Sequence, residues 1–139
     1  MVDVHDRKTR SFNMSQIKAK DTRPELIVRK FLSSKGFRFK IHEKKLPGKP
    51  DIVMPKHNAT IFVNGCFWHG HEGCKYFVLP KTRTDWWLAK ITKTKVRDSR
   101  HRLELKAKKI EVFTIFECQL KPDLRAQTLN SLLKHLGHD

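Results

Sequence analysis

The spacing of apolar positions switches between helical and strand periods along the chain. In "SFNMSQIKAK" (11–20), Met14 and Ile17 share one face at i, i+3 spacing, and Ser11 can cap that turn. A second helix is predicted from Thr22. Thr22 can cap it, Pro24 suits its first turn, and Glu25 favours its positive end. Its apolar stripe is Leu26, Ile27, Val28, Phe31 and Leu32, and Gly36 stops it after Lys35.

The period then shortens. "FRFKI" (37–41) alternates apolar and basic residues, as a half-buried strand does. "LPGKP" turns the chain. "DIVM" (51–54) is a short apolar run, and "ATIFV" (59–63) is nearly continuous, so it reads as a central strand. A long basic helix capped by Thr84 is predicted over 84–109, then a strand in "IEVFTIF" (110–116). Leu124, Leu129, Leu132, Leu133 and Leu136 mark a C-terminal helix. The order is helix, three strands, helix, strand, helix. A helix between the third and fourth strands implies an α/β fold, with a mixed central sheet flanked by helices. The 139 residues, without repeats, read as one domain spanning 1–139.

Charge narrows the function. Thirty Lys and Arg against 14 Asp and Glu give a formal net charge of +16. Such self-repulsion calls for a polyanionic partner, and nucleic acid is the expected one. An anionic membrane surface fits less well, because the basic residues are spread along the chain. No apolar run approaches a membrane span, and "MVDVHDRKTR" lacks a signal-peptide core, so a cytoplasmic protein is expected. Three cysteines in a reducing compartment do not make a disulfide framework.

They can make a metal site. In "GCFWHGHEGC" (65–74), Cys66 and Cys74 bracket His69 and His71. Cys118 follows a strand that can lie beside the one entering this loop. Three thiolates and one imidazole complete a tetrahedral zinc site, and spacing does not choose between the histidines. The alternative is three unrelated thiols buried as small hydrophobes. In "LPGKPDIVM", Asp51 opens an apolar strand. A carboxylate there can hold Mg²⁺ against a phosphodiester, although Pro-Asp also simply makes turns. Phe67 and Trp68 lie between the metal-ligand candidates. Trp86 and Trp87 begin a helix among Lys81, Arg83 and Lys90. Aromatics interleaved with basic residues suit stacking on bases, and one of this tryptophan pair is expected in the core.

Taken together, "DVHDRKTRSFNMSQIKAKDTRPE", "LPGKPDIV", "IFVNGCFWHGHEGC", "TRTDWWLAKI" and "FEC" resemble, in order, the very short patch repair endonucleases, the Vsr family. The resemblance covers about residues 3 to 118. It implies a restriction-endonuclease-like PD-(D/E)xK core (21–139) behind an N-terminal DNA-binding arm (1–20). It also implies a structural Zn²⁺, and Mg²⁺-dependent nicking of double-stranded DNA at a T·G mismatch left by deamination of 5-methylcytosine. The protein would be a monomer of the bacterial cytoplasm, with general mismatch-repair proteins as further partners and no membrane partner.

By that resemblance Asp51 is the Mg²⁺ ligand, Glu25 organises metal-bound water, and His69 is the general base. Cys66, His71, Cys74 and Cys118 are the zinc ligands. Phe67, Trp68 and Trp87 wedge into the base stack from the major groove, and Met14 and Ile17 enter from the minor groove. Lys90 adds to the basic DNA-binding surface. The third strand departs from the Asp/Glu-x-Lys pattern of the core. It reads Phe62-Val63-Asn64, where the family's best-known form ends in a threonine and a histidine. Val63 can serve through its backbone carbonyl. Asn64 cannot act as a base, but it can hydrogen-bond a phosphate or a water. One residue is also inserted before Cys74. On this reading, zinc fixes a loop with few internal hydrogen bonds, so that its aromatics can be pushed into the stack. A zinc-stabilised DNA-binding protein that has lost cleavage is the competing expectation.

Overall fold

The computed structural model describes residues 21–137. The predicted N-terminal arm, with Met14 and Ile17, lies outside the described residues.

Helix α1 spans Arg23–Ser34. Thr22 caps it as expected: its Oγ1 accepts from the Glu25 N–H at 3.4 Å. The buried stripe differs from the predicted one. It comprises Glu25, Val28 and Leu32, while Leu26 stays 49% exposed. A carboxylate therefore stands on the inward face of an otherwise apolar stripe.

Four strands follow: β1 (Lys40–Ile41), β2 (Ile52–Met54), β3 (Ala59–Asn64) and β4 (Glu111–Phe116). They lie in the order β1-β2-β3-β4, with β1–β2 and β2–β3 antiparallel and β3–β4 parallel. β1 is shorter than "FRFKI". The Phe37 N–H is taken by Leu32 O at 3.0 Å in the end of α1, so the ladder starts only at Lys40. Phe37 and Phe39 still pack against the core.

Helix α2 (Thr84–Ala107) makes the crossover between the parallel strands. Thr84 does not cap it. Arg83 holds the cap position at φ 56°, and Thr84 Oγ1 donates instead to the carbonyls of Pro80 and Lys81, at 2.8 and 3.1 Å. The last helix, α3 (Arg125–His135), buries Leu129, Leu132 and Leu133. Leu124 precedes it and is exposed.

The core joins Val28 and Leu32 of α1, Ile52 and Met54 of β2, Ile61 and Val63 of β3, Ile115 of β4, and Leu129 and Leu132 of α3. Side chains alternate along β3, so Phe62 and Asn64 face away from Ile61 and Val63. Two consequences matter for function. The parallel pairing sets Asn64 opposite Phe116, so the segments that leave β3 and β4 emerge side by side. The antiparallel pairing sets the start of β2, with Asp51, beside the end of β3.

Candidate metal centre and active site

The segment leaving β3 folds back tightly. Its backbone bonds include His69 N to Gly65 O at 3.2 Å, His71 N to Cys66 O at 2.9 Å and Phe77 N to Cys74 O at 3.0 Å. The loop is thus better bonded internally than expected. It is also seated on α2. Gly70, at φ 59°, leaves no room for a side chain, because a Cβ there would meet Ile91 Cγ2 at 2.7 Å.

This path gathers Cys66, His71 and Cys74, and the end of β4 adds Cys118. All four donor atoms lie within 4.8 Å of one another. Cys118 Sγ is 3.4 Å from His71 Nδ1, and the His71 ring stacks on Phe116 at 3.9 Å. Three sulfurs and one imidazole nitrogen at these separations fit a tetrahedral ion with bonds of about 2.0–2.3 Å. His69 is not part of the cluster. Burial pushes the Cys66 thiol up to about 12 and raises Cys118 as well. At Cys74, burial pushes the same way, but hydrogen bonds from the Tyr76 and Phe77 amides and from the neighbouring sulfurs leave it lowered. A bound cation would deprotonate the buried thiols outright.

On the other side of the same loop lies a cleft of about 1080 Å³, lined by Glu25, Asp51, Val63, Asn64, His69 and Asp98 among others. Asp51 Oδ2 accepts from the Val63 N–H at 2.7 Å. Burial lifts the Asp51 carboxyl from 3.8 to about 6, opposed by that hydrogen bond and reinforced by the charge of Glu25. Glu25 is 2% exposed, and its Oε2 is fully occupied. Arg29 Nη2 donates to it at 2.8 Å and the Asp21 N–H at 3.1 Å, with His42 Nε2 also at 3.1 Å. The His42 backbone N–H donates to the Asp51 backbone carbonyl at 3.1 Å, so one residue of the sheet edge meets the Glu25 carboxylate with its ring and the Asp51 main chain with its amide.

His69 Nδ1 is 2.7 Å from Asp98 Oδ2. With Nδ1 engaged, Nε2 is the free ring nitrogen. Sequence reasoning missed Asp98, along with Arg29 and His42. The available signal was that Asp98 is the lone acid between Trp86 and Leu103.

The aromatic residues also converge. Phe67 is 5.3 Å from Trp68 and 5.4 Å from Trp87, and Trp68 is 5.7 Å from Trp87, ring centre to ring centre. Neither tryptophan of α2 is core, contrary to expectation. Trp87 is half-buried and Trp86 is 45% exposed, because the first residue that α2 buries is Ile91. Arg83 and Lys90 lie over the Trp86 ring, at 4.5 and 5.4 Å.

The family model for DNA mismatch endonuclease Vsr matches residues 2–75. The type II nicking enzyme V.NmeAIP of Neisseria meningitidis serogroup A is 42% identical over 137 residues, covering 98% of this chain and 97% of that protein. The type II nicking enzyme V.XorIIP of Xanthomonas oryzae pv. oryzae is 45% identical over 120 residues, covering 86% and 88%. The DNA mismatch endonuclease Vsr of Escherichia coli K12 is 41% identical over 121 residues, covering 87% and 77%.

Proposed function

Because this chain belongs to the DNA mismatch endonuclease Vsr family, we propose that it nicks one strand of duplex DNA beside the T of a T·G mismatch, starting very short patch repair. The observation that carries the cleavage reading is a carboxylate, Asp51, and a paired imidazole, His69–Asp98, lining one cleft.

Asp51 and the backbone carbonyl of Val63 would hold Mg²⁺, which supplies positive charge against the phosphodiester and acidifies water. Glu25 engages Arg29, His42 and the Asp21 amide through Oε2, while its Oε1 meets the Thr22 hydroxyl at 3.4 Å. It is suited to orienting a water. His69 takes the proton of the attacking water on Nε2 while Asp98 fixes its ring. The water oxygen attacks phosphorus, one strand P–O bond breaks, and the departing oxygen takes a proton from solvent water.

Zn²⁺ would occupy the Cys66, His71, Cys74 and Cys118 cluster. Four protein donors leave no open position, so its role is structural. Phe67, Trp68 and Trp87 form a wedge that enters where stacking is already weak, as beside a T·G pair. The basic surface, Lys90 included, adds affinity for any duplex. The test is nicking of two end-labelled duplexes, one with a single T·G pair and one fully paired, with Mg²⁺ or with EDTA. Cutting only of the mismatched duplex, and only with Mg²⁺, is expected. Equal cutting of both duplexes would refute mismatch direction.

A further inference from the structure

The cleft does not end at His69. A side pocket of about 10 Å³ adjoins it, sharing Phe62, Asn64 and Asp98 as walls and adding His101 and Arg102 from α2. That volume takes about one oxygen-sized group. Three donors surround it. Asn64 is 6% exposed, and among the described residues its side-chain amide has no hydrogen-bond partner. An amide on the pocket wall with no protein partner is open to a ligand or a water. Arg102 has one partner, Ser99 Oγ at 3.1 Å, and no carboxylate within ion-pair distance among the described residues. The one acid of the pocket, Asp98, turns its Oδ2 to His69.

His101 fixes the pocket relative to Asp51. Its ring lies against Gly48, where an added Cβ would stand 3.1 Å from both Cγ and Nδ1. Gly48 belongs to the turn that delivers Asp51 three residues later, and Lys49 of that turn lines the main cleft. A buried amide, an imidazole and a guanidinium around a one-oxygen space call for an anionic oxygen. A DNA strand threaded past Asp51 supplies such oxygens at every step.

We infer that Asn64, His101 and Arg102 form a subsite for a non-bridging oxygen of a phosphodiester next to the scissile one on the cut strand. The inference rests on the endonuclease reading and extends it to residues outside the metal and base machinery. The subsite holds the strand on the far side of the His69–Asp98 pair and so fixes which phosphate meets Asp51.

Binding of T·G duplexes with Ca²⁺ in place of Mg²⁺ tests this without cleavage. Each duplex carries one uncharged methylphosphonate, moved phosphate by phosphate along the cut strand. For the wild-type chain, one neighbouring position should cost about 10-fold in affinity. Arg102→Gln and His101→Gln should each lose a similar factor on unmodified DNA, and the salt slope should drop by about one for Arg102→Gln. At that single position, methylphosphonate and Arg102→Gln together should cost no more than either alone. Losses that multiply at every position, or wild-type affinity in both variants, would overturn the subsite. A chain that shows the pattern but never nicks with Mg²⁺ keeps the subsite and loses the cleavage reading. A chain without affinity for duplex DNA loses both.

Discussion

Two donor sets flank the end of β3, and they are built in opposite ways. The Cys66, His71, Cys74 and Cys118 cluster is closed: four protein atoms face one another within 4.8 Å. The Asp51 side is open: one carboxylate, held by a single amide at 2.7 Å, borders a cleft of about 1080 Å³. A closed set can only hold structure together, whereas an open one leaves room for substrate and water. The loop of residues 65–74 serves both, since it carries three members of the closed set and also His69. Fixing one side therefore positions the other.

The sharpest way to break the comparison is Asp51→Asn. It should lower Mg²⁺-dependent nicking by roughly 10³-fold, several kcal/mol of lost charge stabilisation. Mismatch binding in Ca²⁺ should stay within a few-fold. Near-normal nicking would mean that the open set lies elsewhere. The same variant reads out burial. Below 3.8 both folded and unfolded chains keep the Asp51 proton. Between 3.8 and about 6 only the folded chain keeps it, so this residue's contribution to stability is lost as pH rises through about 6. In metal-free buffer, Asp51→Asn should therefore match the parent below pH 3.8 and exceed it above pH 6 by up to about 3 kcal/mol in denaturant titrations.

Next in size is His69→Ala, expected to slow single-turnover nicking by about 10²-fold or more. Asp98→Asn should cost about 10-fold, by releasing the ring. Asn64→Ala should cost less than His69→Ala. If that order reverses, proton abstraction does not run through His69.

On the closed side, Cys118→Ser should lower metal content and melting temperature together, with about one Zn²⁺ per parent chain by elemental analysis. A folded, fully active parent without zinc would erase the contrast between the two sets. The smallest effect concerns selectivity. Trp68→Ala should reduce the preference for mismatched over matched duplex by about 10-fold, about 1.4 kcal/mol and within the range of one base–aromatic stack. Lys90→Ala should weaken both duplexes equally and lower the salt slope. Equal losses for Trp68→Ala, in titrations at two salt concentrations, would move mismatch reading to another surface.

The placement of the candidate residues was legible where they lie near a strand end. Asp51, the Cys/His loop and Cys118 each sit within a few residues of an apolar run; parallel pairing of β3 with β4 joins the loop to Cys118, and antiparallel pairing of β2 with β3 adds Asp51. Reading failed where tertiary contacts override local preference. Glu25 looked like a helix-dipole residue because nothing in α1 reveals that Arg29 and His42 enclose its carboxylate. Thr84 looked like a cap, but the chain enters α2 through Arg83 at positive φ. Trp86 and Trp87 looked half core because their composition does not tell where α2 first meets the sheet. Asp98 was marked only as the one acid in a basic stretch, and its role stayed hidden because its partner is 29 residues away.

A metal ion in the cysteine cluster would also act on the polymer. Cys66 and Cys118 are 52 positions apart and enclose the whole of α2. An ion held by both ends turns that stretch into a closed ring. By the chain-entropy relation for a cross-link of this length, the ring denies the unfolded chain about 4 kcal/mol of conformational freedom. It would also shorten the search for the β3–β4 pairing, the most non-local strand pairing of the sheet and so a slow one. Metal supplied before refolding should therefore speed the recovery of native chain, whereas metal added after the strands have misregistered should not.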